Sequence, residues 1–273
     1  MMLADMHTHS DNSPDGEDTV ADLCAAAAEK NLSYIAITDH CEIDLYNKDR
    51  YGSRTKQSYF DILAAQDDFG DELGILRGIE IGNPLSDRAV ADRVAESRSY
   101  DVILGSLHHV SGCDDFAFID FDAVEPGELL GQYYDELLAL VEWGRFDVLT
   151  HITYPLRYIN GIYKKNISVE RFLPQIRRVL RGVIDSGKAL EINTSGLRQP
   201  YGLTMPGADI VALYREMGGR LITVGSDAHS KKDVGANILD GLRIAKEAGF
   251  CEYCIYKERR PVPVRIDIPC AKN

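Results

Sequence analysis

Short apolar β-like runs alternate with amphipathic helical stretches almost from one end of the chain to the other. The runs LADMH (3–7), SYIAITD (33–39), GILRGIEI (74–81), YDVILGSLH (100–108), FDVLTH (146–151), KALEIN (188–193) and RLITVGSD (220–227) read as strands. A further run, YCIYK (253–257), precedes a Pro-rich tail. Between them, apolar residues recur at helical spacing. Val20, Leu23, Cys24 and Ala27 occupy the i, i+3, i+4, i+7 positions of one face, with Thr19 and Asp22 resembling a capping box ahead of it. Ile210, Leu213, Tyr214 and Met217 repeat the spacing until Gly218-Gly219 stops it. Leu130, Tyr133, Leu137, Leu140 and Val141 line a third helix ending near Gly144. Ser168 can cap a fourth, carrying Phe172, Ile176, Val179, Leu180 and Val183, and Pro174 predicts that this helix starts late or kinks.

Strand–helix alternation with short connections implies a parallel sheet, and seven such units predict a closed α/β barrel. Periodicity alone also admits an open, doubly wound sheet. The stretches 41–58, 109–124 and 152–167 have no clear pattern, and each follows a β-like run that ends in histidine. In α/β barrels the loops after the strands build the active site. No internal repeat or linker interrupts the chain, so residues 1–273 are expected to form one domain.

Composition narrows the class. The 273 residues are 45% hydrophobic and 27% charged, ordinary values for a globular protein. No apolar run approaches the roughly 20 residues of a membrane span. The start, MMLADMHTHS, lacks the features of a secretory signal, so a cytoplasmic location is expected. The formal charge of -13 argues against nucleic acid as a partner, because phosphate backbones call for basic patches. A small phosphate ester remains compatible, since bound cations can invert the local charge. The six cysteines are scattered, and the lone CxxC of Cys251 and Cys254 is read as a pair of buried or half-buried thiols.

The histidines carry the chemistry. All seven lie at or just past strand ends: His7 and His9 in MHTHS, His40 in ITDH, His108 and His109 in GSLHHV, His151 in LTHITYP and His229 in GSDAHS. A lone histidine is usually a satisfied polar residue; five strand ends carrying every histidine in the chain point to a metal site. In HxH the two rings project to the same side of an extended chain. His108 and His109 are adjacent and point to opposite faces, so only one is expected to ligate. Carboxylates occupy matching places in Asp15, Glu80 and Asp227. Imidazole with carboxylate suits zinc, with manganese or iron as alternatives. Asp39 and Glu191 also sit at strand ends, where they can orient a ligand from behind.

The ordered set HTHS, SPDG, ITDH, GIEIG, GSLHH, a strand-end His151, EINTSG and GSDAH resembles the polymerase-and-histidinol-phosphatase (PHP) superfamily, and within it the histidinol-phosphatase group. The resemblance covers nearly the whole chain. It implies a distorted (β/α)7 barrel with three divalent ions. It further implies that His7, His9, Glu80 and Asp227 hold the first ion. Glu80 would bridge to a second, completed by His108 and His151, and Asp15, His40 and His229 would hold the third. Three dications against three ligand carboxylates leave a charge of about +3, attractive to a phosphate monoester. The catalytic group implied is a metal-bound hydroxide attacking phosphorus in line. Arg157 and Arg198 match arginines that bind the substrate phosphate, with Ser230 and His109 as further substrate contacts.

The substrate expected from the resemblance is L-histidinol phosphate, hydrolysed to L-histidinol and phosphate in histidine biosynthesis. Another PHP phosphoesterase, acting on a nucleotide or sugar phosphate, is the alternative. An amidohydrolase also begins with HxH, but expects a lysine where GIEIG supplies Glu80. A binding module without turnover would have lost ligands that this chain keeps.

Overall fold

The computed structural model describes residues 2–268; Cys270 lies outside them. In chain order the elements are β1 (Ala4–Thr8), α1 (Val20–Glu29), β2 (Tyr34–Ile37), β3 (His40–Glu42), α2 (Tyr51–Phe69), β4 (Gly74–Gly82), α3 (Arg88–Ala95), β5 (Val102–Ser106), α4 (Pro126–Trp143), β6 (Val148–Leu149), α5 (Leu156–Ile159), α6 (Leu173–Asp185), β7 (Ala189–Asn193), α7 (Ala208–Glu216), β8 (Ile222–Gly225), α8 (Ile238–Glu247), β9 (Glu252–Lys257) and β10 (Arg260–Arg265). Every β-like run of the sequence becomes a strand. The capping signals hold as well: Thr19 accepts from the Asp22 N–H, and Gly144 ends α4 in the left-handed conformation. Ser168 caps a 3-10 turn, and α6 starts late, with Pro174 in its first turn.

The sheet runs in the order β1-β2-β4-β5-β6-β7-β8, and all its ladders are parallel. β2 and β3 pair with successive parts of β4, Tyr34–Ile37 against 74–77 and His40–Glu42 against 80–82, so together they are one interrupted strand. That leaves seven strands around the barrel. The circle closes where β1 meets the segment after β8: the Asp227 N–H donates to His7 O (2.8 Å), and the His9 N–H donates to Ala228 O (2.8 Å). Buried Asp5 reinforces this seam by accepting from Ser226 and from the Gly235 N–H (2.8 Å).

Two details differ from the expectation. The run 33–39 breaks at Thr38–Asp39, because the Asp39 carboxylate is taken by the side chains of Ser10, Ser13 and Ser58 and by the Ser10 N–H. His40 therefore opens a strand segment instead of following one. The patternless stretch 41–58 contains the start of α2, whose buried face of Tyr51, Thr55, Ser58, Ile62 and Ala65 is half polar and gives a weak apolar stripe. At the opposite end of the barrel, the β9–β10 hairpin meets residues that precede β5 and β6, through Asp101 and Asp147. Of the CxxC pair, Cys254 is buried in β9 but Cys251 is exposed. Among the described residues no helix is long and apolar enough to cross a membrane.

Candidate metal centre

Glu80 sits at the middle of the site. It is fully buried near the end of β4, and each carboxylate oxygen faces two or more imidazoles. Oε2 lies 3.4 Å from His7 Nε2, 3.6 Å from His9 Nε2 and 2.8 Å from His40 Nδ1. Oε1 lies 3.1 Å from His151 Nε2 and 3.4 Å from His108 Nε2. Asp227 Oδ1 completes the first side, 3.4 Å from His9 Nε2 and 3.7 Å from His7 Nε2. A third group stands beside them: Asp15 Oδ2 is 3.2 Å from His229 Nε2, Asp15 Oδ1 is 3.7 Å from His40 Nε2, and the two Nε2 atoms are 3.4 Å apart.

Metal–nitrogen bonds of 2.0–2.1 Å in a tetrahedral arrangement separate donor atoms by roughly 3.3 Å. The distances above cluster around that value, so the donors are spaced as they would be around a divalent ion. His7, Glu80 and His151 form one group whose donor atoms all lie within 4.8 Å of one another, as do His7, His9 and Asp227, and His9, His40 and His229. A second observation agrees. His7 Nε2, His9 Nε2, His40 Nδ1 and Glu80 Oε2 are buried with no hydrogen-bond partner. His40 Nδ1 and Glu80 Oε2 at least face each other at 2.8 Å, but the Nε2 atoms of His7 and His9 are left at longer range, a costly arrangement unless an ion satisfies them.

Their other ring nitrogens are anchored. His7 Nδ1 meets Glu191 Oε1 at 2.7 Å, His108 Nδ1 meets Glu42 Oε1 at 2.9 Å, and His9 Nδ1 meets Ser13 Oγ at 3.3 Å. Such contacts orient imidazoles toward a metal. Ser13 in turn donates to Asp39 (2.8 Å), so Asp39 acts on His9 through a hydroxyl. Gly225 permits the close approach of β8: a Cβ there would lie 2.4 Å from His7 Cβ. Asp227 (φ 53°) and Asn83 (φ 49°) hold left-handed backbone beside the cluster, where strain commonly marks function.

Charge follows the geometry. Burial opposes ionisation of Glu80, but the imidazoles of His40, His7 and His108 hold it well below the usual carboxylate range. Burial works against a charged His7, yet Glu191, Glu80 and Asp227 raise it well above the ordinary value. His40 is likewise raised to about 9, chiefly by Glu80 against the cost of burial. His9 is lowered well below, by burial and by the neighbouring His40 and His229. Metal ions bind imidazole in its neutral form, so a bound cation would take over the neutralisation of these carboxylates.

Asp15, His40, His108, His151, Asp227 and His229 line a cavity of about 530 Å³, together with His109 and Arg157. His7, His9 and Glu80 lie buried beneath it. His109, like His108, lies past the end of β5 in a bend and not in extended strand, and its Nε2 is 3.3 Å from Asp44 Oδ2. The Arg157 guanidinium lies over the rings of Tyr154 (5.2 Å) and Tyr158 (5.1 Å), with Nη1 3.9 Å from Asp227. Arg198 and Ser230 are not on the cavity wall. Arg198 donates to Ser226 O (2.9 Å) and faces Asp233, and its Nη1, like Ser230 Oγ, is buried without a partner.

Sequence reasoning missed the support given by Glu42 and Asn83. Asn83 Oδ1 accepts from the His108 N–H (2.9 Å) while its Nδ2 donates to Glu42 (2.9 Å). The signal for Glu42 was present in HCE, where His40 and Glu42 share the i, i+2 relation that makes HTH conspicuous.

Fold and site together define an α/β barrel with a buried imidazole–carboxylate cluster at the C-terminal ends of its strands. The model of the PHP domain family matches residues 5–195, and the chain belongs to that family. A protein named "Probable histidinol-phosphatase" from Thermotoga maritima is 29% identical over 264 residues, spanning 97% of this chain and 100% of the relative. The histidinol-phosphatase of Lactococcus lactis is 27% identical over 262 residues, covering 94% and 95% of the two chains. Among solved structures, the Lactococcus lactis histidinol phosphate phosphatase complexed with Zn, L-histidinol and phosphate shares the fold. Its TM-score is 0.79 at 24% identity, over 95% of this chain and 98% of that one.

Proposed function

We propose that this protein is a metal-dependent phosphatase that hydrolyses L-histidinol phosphate to L-histidinol and phosphate. One observation carries the reading: both oxygens of buried Glu80 are shared among imidazoles at metal-ligand spacing, beneath a cavity open to a small ester. Family membership and the names of the full-length relatives support the same activity. We assign His7, His9, Glu80 and Asp227 to a first ion, Glu80, His108 and His151 to a second, and Asp15, His40 and His229 to a third. Zinc is the preferred ion, with manganese or iron compatible. The whole chain is read as one domain, because Asp227 and His229 lie beyond the matched segment and complete its site.

Bound divalent ions would supply Lewis acidity toward the phosphoryl oxygens and a water acidic enough to attack at neutral pH. The chain's own residues bind and orient. Arg157, on the cavity wall, offers a planar fork to phosphate oxygens. Arg198 Nη1 and Ser230 Oγ are buried spare donors off the cavity wall, and His109 bounds the cavity on the Asp44 side. Removal of Arg157 should raise KM for every phosphate ester, as loss of uniform binding does.

Steady-state assay of metal-loaded protein on L-histidinol phosphate, against a panel of nucleotide and sugar phosphates, tests the proposal. A kcat/KM for L-histidinol phosphate above the rest is expected. Preference for a nucleotide or sugar ester by orders of magnitude overturns the substrate and leaves the chemistry.

A further inference from the structure

We propose that Asp115 selects substrates whose leaving alcohol carries an ammonium group, by presenting one fixed carboxylate oxygen to that cation. The inference rests on the phosphatase reading above. Asp115 lines the same cavity as His108, His151 and Arg157. Its Oδ1 accepts from the Ala117 N–H (2.7 Å) and from the Tyr154 hydroxyl (3.0 Å). The next residue is anchored too: the Phe116 N–H donates to His108 O (3.1 Å), and the buried Phe116 ring packs edge-on to Tyr133 and Tyr154. The carboxylate is thus fixed relative to a candidate metal ligand, while its Oδ2 takes no hydrogen bond among the described residues.

Other carboxylates on this wall are committed or loosely held. Both Asp44 oxygens are engaged, by His109 (3.3 Å) and Asn83 (3.3 Å), and Glu42 is taken by His108 and Asn83. Tyr154 links the two recognition groups, its hydroxyl on Asp115 and its ring face under the Arg157 guanidinium. An ester with phosphate at one end and an ammonium at the other fits such a paired anion and cation site. A charge-assisted hydrogen bond of this kind changes binding by about ten- to a hundredfold.

The test compares L-histidinol phosphate with its deamino analogue, 3-(imidazol-4-yl)propyl phosphate, and includes p-nitrophenyl phosphate as a general substrate. Asp115→Asn retains an acceptor for Ala117 and Tyr154 but removes the charge. Wild type should prefer the amino ester by about tenfold or more in kcat/KM. In Asp115→Asn that ratio should fall toward one, with kcat/KM for the deamino and p-nitrophenyl esters unchanged. Asp49→Asn, a carboxylate on the same wall with no side-chain donor holding it, should keep the wild-type ratio. An unchanged ratio in Asp115→Asn, an equal loss on all three esters, or a collapse caused by Asp49→Asn instead overturns the inference and leaves the phosphatase reading standing. Wild-type turnover of p-nitrophenyl phosphate with neither imidazole ester removes the substrate reading, and the inference with it.

Discussion

The His7 imidazole is held across the barrel by Glu191: Nδ1 of one lies 2.7 Å from Oε1 of the other, 184 residues away in the chain. The contact turns His7 Nε2 toward Glu80 and Asp227. The second oxygen of Glu191 accepts from the His151 N–H at 2.9 Å, so one carboxylate orders two candidate ligands. Glu191→Gln would set an amide N–H against one of these donors. We expect metal affinity to weaken by about 10–100-fold with the fold retained. Competition with a chromophoric chelator, alongside circular dichroism, measures it; undiminished affinity would remove Glu191 from this supporting role.

Glu80→Ala should abolish turnover and lower metal content, because it deletes the group common to two of the assigned ion positions. His9→Ala should do the same to the first position, with less effect on the pair His108 and His151. Elemental analysis of purified variants gives the stoichiometries. Full metal content in Glu80→Ala would refute its bridging assignment.

Much of this centre was legible in the sequence because strand ends are local features. HTH, GIEIG and GSDAH put donors at or just past strand ends, and parallel strands bring all C-terminal ends to one side. What stayed hidden depends on contacts between distant segments. Nothing local shows that Asn83 carries His108 or that Tyr154 holds Asp115, and the half-polar face of α2 conceals a helix inside the first long loop. The bend at Thr38–Asp39 likewise needs serines from three other positions.

The two arginines should behave differently. Arg157→Ala removes a cavity-wall guanidinium, and KM for phosphate esters should rise by about tenfold or more with little loss of stability. Arg198→Ala also removes the hydrogen bond to Ser226 O, which precedes Asp227. It should therefore lower the melting temperature, and raise KM only through the displacement of Asp227, since Arg198 is not on the cavity wall. Steady-state kinetics and thermal melts on both variants distinguish them, and identical stability losses would contradict the contrast.

Metal removal should be visible in stability. Each ion that binds the native chain at about a hundred times its Kd contributes roughly 2.7 kcal/mol. For a chain of this size, that corresponds to a fall in Tm of about 5–10 °C for each ion removed by chelation. Scanning calorimetry before and after dialysis against a chelator, then after re-addition of zinc, checks it. A Tm indifferent to both treatments would mean the orphaned donors are not satisfied by ions.

At the far end of the barrel, Asp101 supplies a test free of the metal site. Its carboxylate accepts from Arg77 Nε (2.9 Å), Arg77 Nη2 (3.0 Å), the Arg77 N–H (3.0 Å) and the Glu258 N–H (3.0 Å), tying the final hairpin to the sheet. Burial opposes its ionisation, but Arg77 and the backbone donors outweigh that and lower its pKa below the ordinary value. A carboxylate with a depressed folded-state pKa contributes stability above its unfolded pKa, near 3.9, and loses it as pH falls through the folded value. Asp101→Asn should cost about 2 kcal/mol at pH 7 and leave kcat unchanged. The gap to wild type should stay constant down to about pH 5 and shrink below about pH 4, as protonation removes the wild-type advantage. Urea unfolding at pH 7, 5 and 3 measures the gap, and an equal difference at pH 7 and 3 would show that packing, not the charge of Asp101, holds the hairpin.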